Sequence, residues 1–172
     1  SRPSRNAVSV VRRERRLRPL ALVWAAAVAG LALAVLARGG AGLAAEVRSG
    51  AALLGRTPLA AIEITGRELS AFPLGRQVSL RWAGELRVPA SGRYELWVEG
   101  RGRVAVAVSG RTVLEAEGDP LQAARAIGLP QGPSSLEVRF EHTGPGPRLR
   151  LGWTRPDGRR ETIPPRVLGT PR

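Results

Sequence analysis

Apolar and polar side chains alternate with a period of two along much of the chain beyond residue 42. Successive side chains of a β-strand point to opposite faces, so this period is typical of strands with one buried and one charged face. The alternating apolar residues are Val78, Leu80, Trp82, Leu86, Val88, Tyr94, Leu96, Val98, Val104, Val106, Val108, Leu136, Val138, Phe140, Leu149, Leu151 and Trp153. Segments rich in glycine and proline separate them, as turns do. The pattern predicts an all-β domain, an antiparallel β-sandwich or barrel.

Composition is consistent with one folded domain and excludes several kinds of site. The 172 residues are 43% hydrophobic, which is enough to form a core. The absence of cysteine excludes disulfides, thiol nucleophiles and thiolate zinc sites.

The formal net charge of +13 is unevenly distributed. Residues 1–18 hold seven arginines and one glutamate, and the rest of the positive charge is interleaved with glutamate along the predicted strands. Interleaved charge is typical of a solvated surface. No helix-turn-helix, RNP or zinc-finger pattern accompanies the arginines, so nucleic acid is not predicted as a partner.

An apolar run of 18 residues, Leu20–Ala37, follows the basic segment. As a helix it would span about 27 Å, close to the roughly 30 Å of a bilayer's hydrocarbon core. Positive charge on its amino-terminal side favours a cytoplasmic amino terminus. We therefore predict a basic cytoplasmic tail at 1–18, a transmembrane helix at 19–38 and an exported domain at 39–172. Such a protein would be a single-pass protein of the cell membrane, contacting the lipid bilayer, with its carboxy-terminal domain periplasmic or extracellular.

Two features of this segment leave alternatives open. A signal peptide also begins with basic residues, and small residues before Arg38 and Glu46 resemble weak cleavage sites. The length of the apolar run favours retention of the helix. Ala26, Gly30 and Ala34 recur every four residues and would form a small-residue stripe on one helix face. This stripe predicts a packing site for a second membrane helix.

Residues 91–110 are predicted to form two strands joined by the short sequence EGRG at 99–102. Glycine is common in turns, and arginine is common in sites that bind anions. The connection is therefore either a ligand-binding loop or only a turn.

Trp97 lies on the predicted charged face of the first of these strands, because its neighbours Leu96 and Val98 alternate with it. Arg101 and Arg103 follow through the connection. An indole ring bordered by guanidinium donors suits stacking on a sugar ring or binding of an acidic glycan. Trp97, Arg101 and Arg103 are the predicted ligand-binding residues. The alternative is that Trp97 is covered by a loop or by the segment around residues 57–75.

Five segments resemble, in this order, the PA14 family. They are GLAAEVRSGAALLGR (42–56), VSLRWAGELRVPASGRYELWVEG (78–100), VAVAVSGRTVLE (104–115), IGLPQGPSSLEVRFEH (127–142) and LRLGWTRPDGRRETIPPRVL (149–168). The family's W-x-G-x-L-x-V-P-x-S-G-x-Y hairpin is formed by Trp82, Gly84, Leu86, Val88, Pro89, Ser91, Gly92 and Tyr94. The resemblance implies a β-sandwich that serves as a carbohydrate-binding or spacer module beside the part of a protein that does chemistry.

One departure from the family pattern concerns calcium. Lectin-type members carry two consecutive aspartates after this hairpin, which hold a calcium ion that binds sugar hydroxyls. The corresponding residues here are Arg101 and Gly102. A hard cation needs several oxygen ligands, and an arginine adds like charge beside it. The sequence predicts no metal site and no cofactor.

Catalysis is not predicted. His142 follows a predicted strand, where a surface histidine is expected. Glu115, Glu117 and Asp119 form an acidic run that is typical of a solvated turn. Neither a Ser/His/Asp set nor a pair of placed carboxylates is evident.

These observations predict a non-catalytic, membrane-anchored envelope protein whose PA14-like domain is a glycan- or partner-binding module or a spacer. The alternative is structural: an accessory subunit of a membrane complex, or the carboxy-terminal part of a larger membrane glycosyltransferase. The stripe at Ala26, Gly30 and Ala34 favours the alternative, and an exposed aromatic patch would favour the binding module.

Overall fold

The computed structural model describes residues 43–59 and 61–170. Their strands are β1 (Leu43–Ser49), β2 (Ala52–Leu59), β3 (Glu63–Ile64), β4 (Gln77–Val88), β5 (Gly92–Val108), β6 (Arg111–Leu129), β7 (Gly132–Thr143), β8 (Arg148–Thr154), β9 (Arg160–Thr162) and β10 (Leu168–Gly169), with a 3₁₀ turn at Pro165–Val167. In this part of the chain no helix is long and apolar enough to cross a membrane. The predicted tail (1–18) and transmembrane helix (19–38) lie outside the described residues.

The strands form one antiparallel sheet in the order β2-β1-β4-β7-β5-β8-β3, with β6 beside β5, β9 beside β8 and β10 beside β4. The 17-residue β5 belongs to two layers, because its first half pairs with β8 and its second half pairs with β7. The 19-residue β6 follows β5 through both halves. The two long strands therefore carry the sheet from one layer to the other.

A single core fills the space between the layers. Every apolar residue of the predicted alternation is at most 4% exposed, and all of them join one cluster. In this cluster the rings of Tyr94 and Trp153 lie 5.1 Å apart. Inward side chains from both halves of β5 enter this core, so the sheet is folded over on itself. The predicted antiparallel β-sandwich is confirmed.

Two local predictions are wrong. Residues 99–102 are neither a loop nor a turn, because they lie inside the continuous strand β5. The acidic run at 115–119 is not a turn either, because it lies inside β6 and pairs with β5. The ladder between the two strands shifts register after Gly100, as at a β-bulge, and this irregularity bends both strands at the point where they change layers.

The first and last described strands share one edge of β4. Ala45 of β1 pairs with Trp82, and Leu168 of β10 pairs with Leu86, so the two strands lie end to end. Gly84 lies beneath their junction. A Cβ atom at this position would collide with the Leu43 side chain and the Gly169 carbonyl oxygen, so only glycine fits.

Candidate functional site

The bend of β5 is built on two glycines that flank Arg101. A Cβ atom at Gly100 would collide with the Arg148 carbonyl of β8, and one at Gly102 would collide with the Glu141 carbonyl of β7. Gly102 also has φ of +120°, which side chains rarely tolerate. The close backbone approach fixes the bend and leaves the Arg101 side chain about half exposed on its outer side.

A cleft of about 530 Å³ opens beside Arg101 on the outside of the sandwich. Its lining includes Glu63 of β3, Arg148 and Arg150 of β8, and Glu99 and Arg101 of β5. The volume falls in the usual range of ligand pockets, roughly 300–1,000 Å³. Five of its ten lining residues are charged, so the cleft offers hydrogen bonding and ion pairing beside some apolar surface.

Ion pairs occupy most of the charged groups around the cleft. Arg150 contacts Glu63 at 3.1 Å, Arg160 contacts Glu99 at 3.0 Å and Arg101 contacts Asp119 at 3.3 Å. In the described part of the chain Arg148 makes no ion pair or side-chain hydrogen bond. It is the unneutralised charge of the cleft.

Trp97 lies on the outer face, as the alternation predicts, but it is only 4% exposed. Its indole rests on Gly152 of β8, where a Cβ atom would collide with the ring. The Arg160 guanidinium lies over the ring, with Cζ 4.4 Å from the ring centroid, and Glu99 holds that guanidinium. The indole nitrogen has no hydrogen-bond partner within the described residues. The Trp97 ring face is therefore covered by an arginine.

The three predicted ligand-binding residues do not form one cluster. Trp97 borders a separate hollow of about 330 Å³, which Glu99 connects to the cleft that contains Arg101. Arg103 lies beyond the bend and pairs with Glu117 at 3.0 Å, so it lines neither cavity. Arg101 is the predicted residue that lines the charged cleft.

Sequence reasoning missed Arg148 and Arg160. The alternation around Leu149 and Leu151 places Arg148 on the outer face, and this signal was available in the sequence. Arg160 gave no such signal, because it belongs to a three-residue strand after a turn. Its position over Trp97 follows from the pairing of β9 with β8.

The outer face of the other layer also carries two arginines side by side. Arg81 of β4 and Arg139 of β7 are direct cross-strand partners, and Glu137 bridges them at 3.0 and 2.7 Å. Arg81, and then Arg139, hold the pKa of the Glu137 carboxyl below its ordinary value by hydrogen bonding to the charged form. Small residues such as Ala105 and Ala107 border a shallow hollow of about 380 Å³ next to this bridge.

The remaining candidate groups are structural. His142 is buried, at 7% exposed, rather than on the surface as predicted. Its ring stacks on Phe140, and its Nε2 lies 3.2 Å from the Pro145 carbonyl oxygen. Glu117 and Asp119 are ion-pair partners of arginines on β5.

No group of three or more acidic or histidine side chains within residues 43–59 and 61–170 is placed to hold a metal ion. At the bend, where the resemblance to lectin-type members would put an acidic pair, Arg101 is instead paired with Asp119. The groups present there can bind an anion or sugar hydroxyls through guanidinium donors.

The family model described as "PA14 domain" matches residues 74–166, just over half of the chain. The chain therefore belongs to the PA14 family, as its sequence motifs predict. No curated protein matches the chain.

Solved structures share the fold. An anti-sigma factor domain-containing protein is 19% identical with a TM-score of 0.68, over 75% of this chain and 47% of that one. The PA14 sugar-binding domain of an RTX adhesin is 16% identical with a TM-score of 0.62, over 75% and 98%. The epithelial adhesin 9 A domain of Candida glabrata, solved with Galβ1-3GlcNAc, is 8% identical with a TM-score of 0.60, over 74% and 88%. The chain spans about half the length of the first of these.

Proposed function

We propose that this PA14 domain is a non-catalytic glycan-binding module of the cell envelope, and that its ligand site is the charged cleft at the bend of β5. The observation that carries the proposal is the cleft itself, which has the volume of a ligand pocket and converging hydrogen-bonding groups. Membership of a family that includes sugar-binding domains supports a carbohydrate ligand. The two carboxylates of the lining, Glu63 and Glu99, are both held by arginines, which favours binding without chemistry.

Binding at this cleft is proposed to be independent of calcium. Arg101 and Gly102 occupy the positions of the acidic pair, and a guanidinium beside a calcium ion would repel it. Guanidinium and carboxylate groups in the cleft supply both donors and acceptors, so they can contact sugar hydroxyls directly.

In this proposal Trp97 does not stack on the sugar; it supports Arg160, which in turn contacts the cleft residue Glu99. The Trp97 ring is covered by Arg160, and Arg160 is held by Glu99. A ligand that displaced Arg160 from Glu99 would expose the indole, which would then be available for stacking. Arg103 is assigned no ligand contact.

A glycan array tests the proposal with the full chain in detergent micelles. We expect binding that survives chelation of calcium and falls at least about tenfold in Arg101→Ala, because charge-assisted hydrogen bonds are lost. Arg111→Ala is the matched control, since it removes an exposed arginine at the far end of β5's partner strand. An array with no glycan bound, or binding that needs calcium, would contradict the proposal.

Thermal unfolding gives an independent measure of the calcium claim. A ligand at a hundredfold excess over its dissociation constant stabilises a fold by about 2.7 kcal/mol. We expect no change in Tm on adding calcium to the full chain. A clear rise would overturn the calcium-independent site.

We further propose that residues 19–38 anchor the domain to the membrane, with residues 1–18 in the cytoplasm. The basic segment before the apolar run supports this topology. Protease added to intact spheroplasts is expected to digest the chain beyond residue 38 while the tail remains protected. Digestion of the tail under these conditions would reverse the orientation.

A role as a structural subunit of a membrane complex is the second candidate, favoured by the spacing of Ala26, Gly30 and Ala34. Cross-linking in membranes, followed by solubilisation, is expected to capture a membrane protein with the unaltered chain and to fail with Gly30→Leu. Ala32→Leu is the control, because it enlarges a small residue on the opposite face of the proposed helix and is expected to leave capture unchanged. Undiminished capture by Gly30→Leu would contradict a role for the stripe.

A further inference from the structure

Two arginines face each other across the cleft without a bridging acid. Arg101 of β5 and Arg148 of β8 form the last pair of that ladder and are direct cross-strand partners. Both are exposed on the outer face, and Leu149 beside Arg148 is buried in the core. Directly opposed residues have Cβ atoms only about 5 Å apart, and like charges at that distance destabilise a sheet.

None of the acids around this pair bridges its two arginines. Glu63 contacts Arg150, and Glu99 contacts Arg160. Asp119 contacts Arg101 at 3.3 Å and does not reach across to Arg148. The Asp119 side chain is 69% exposed. Among the described residues none makes an ion pair with Arg148. Arg148 therefore leaves positive charge in the cleft, beside an Arg101 whose one ion pair is exposed.

The same molecule shows how such a pair is neutralised. On the other layer, Arg81 and Arg139 are also direct cross-strand partners, and the Glu137 carboxylate binds both of them. No side chain in the described chain takes that place between Arg101 and Arg148. The cleft thus has the two donors of this arrangement without its oxyanion.

We propose that the oxyanion is supplied by the ligand: the cleft binds a sugar that carries a carboxylate or a phosphate, held between Arg101 and Arg148. This rests on the proposed glycan-binding function and names its ligand class. Guanidinium groups match both oxyanions with paired, charge-assisted hydrogen bonds. The ligand competes with Asp119 for Arg101, which the exposure and length of that ion pair allow.

The binding test compares two probes with one backbone. Cellotetraose and its fully C6-oxidised tetra-uronate differ only in the carboxylates. With the full chain in micelles, we expect calorimetry to give at least about tenfold tighter binding of the uronate, and we expect added salt to weaken it. Competition by glucose 6-phosphate and by glucuronate, with glucose as reference, distinguishes a phosphate from a carboxylate preference.

Variants at Arg148 separate ligand recognition from folding. Arg148→Gln is expected to lose the preference for the uronate, and Arg111→Gln, the control for net charge, is expected to keep it. Arg148→Glu places an acid opposite Arg101, so it is expected to raise Tm at low salt while abolishing uronate binding. A higher Tm of the ligand-free Arg148→Glu variant would show that Arg148 destabilises the fold. An arginine that costs stability is expected to be retained for binding a ligand.

The outcomes are distinct. Equal affinity for cellotetraose and the uronate overturns the anionic ligand and leaves the glycan-binding function standing. No binding of any glycan overturns both. Uronate preference that persists in Arg148→Gln and Arg148→Glu shows that the oxyanion binds elsewhere and overturns this site.

Discussion

The two cross-strand arginine pairs of the sandwich make a controlled comparison. Arg81 and Arg139 have the Glu137 carboxylate between them, whereas Arg101 and Arg148 face a cleft with no bridging side chain among the described residues. The first arrangement is complete and holds β4 to β7. The second is incomplete at the place where β5 bends. The difference contrasts an arginine pair that is bridged within the sheet with a pair that we propose is left for a ligand.

The two layers also differ in the size of the side chains on their outer faces. The outer face near Glu137 carries small residues such as Ala83, Ala105 and Ala107. The outer face of the β8 layer carries Trp97, which needs Gly152 beneath it and Arg160 above it. The β8 layer therefore depends on specific neighbours to keep an aromatic ring covered on its outer face.

Trp97→Ala is expected to have the largest effect on stability of the variants that test this difference between the layers. We expect a loss of about 3–5 kcal/mol in the free energy of unfolding, because a nearly buried indole is removed and leaves a cavity. Chemical denaturation measures the loss, and Trp97→Phe is expected to retain part of the stability. An unchanged Tm together with lost glycan binding would instead make Trp97 a ligand surface.

The bend is tested by a pair of glycine variants. Gly102→Ala combines a positive φ with a collision at the Glu141 carbonyl, so we expect it to cost more than about 3 kcal/mol. Gly110→Ala has a positive φ of 76° but open space around the new methyl, so about 1 kcal/mol is expected. Equal losses in chemical denaturation would mean that the close approach to β7 does not fix the bend.

Arg160→Ala removes the cover from Trp97. A cation–π contact at an exposed site is worth roughly 0.5–1 kcal/mol, and we expect a loss of that size. Acrylamide quenching of tryptophan fluorescence is expected to increase, because the ring face becomes accessible. Arg159→Ala, which loses an ion pair with Glu161 but no contact with the Trp97 ring, is the control. Unchanged quenching in Arg160→Ala would show that another group covers the ring.

The bridged pair makes stability depend on pH. The pKa of Glu137 is lowered in the folded state, so its contribution is complete above the ordinary value of 4.5 and is lost as pH falls through the lower folded pKa. We expect Glu137→Gln to cost about 1 kcal/mol at pH 7 and nothing once the carboxyl is protonated. Denaturation at a series of pH values measures this, with Glu115→Gln as the control. A cost that is independent of pH would contradict the bridge.

The alternation of apolar residues was sufficient to predict the all-β class and the inward residues of β4, β5, β7 and β8, but it left sandwich and barrel open and did not predict β6. Residues such as Tyr94, Val104 and Leu151 are buried as predicted, because the period of two reflects a local property of each strand. The PA14 motifs, read in the same order along the chain, identified the family.

The bend and the cleft could not be predicted in the same way. A Gly-x-Gly sequence fits a turn as well as a bulge inside a strand, and only the approach of β7 and β8 decides between them. The cover over Trp97 comes from Gly152 and Arg160, which are far from it in sequence. The Arg101–Arg148 pair depends on the register between β5 and β8, and the sequence alone does not fix that register.

The junction of β10 and β1 over Gly84 has a consequence for how this domain joins other chains. Gly169 and Leu43 meet there, so the two strands form one interrupted strand along β4. A polypeptide can enter and leave the fold at a single point, which makes the domain suited to insertion within a longer chain and to circular permutation. A short linker from residue 169 to residue 43 would join the two strands, and new chain termini could then be introduced at the turn of another hairpin.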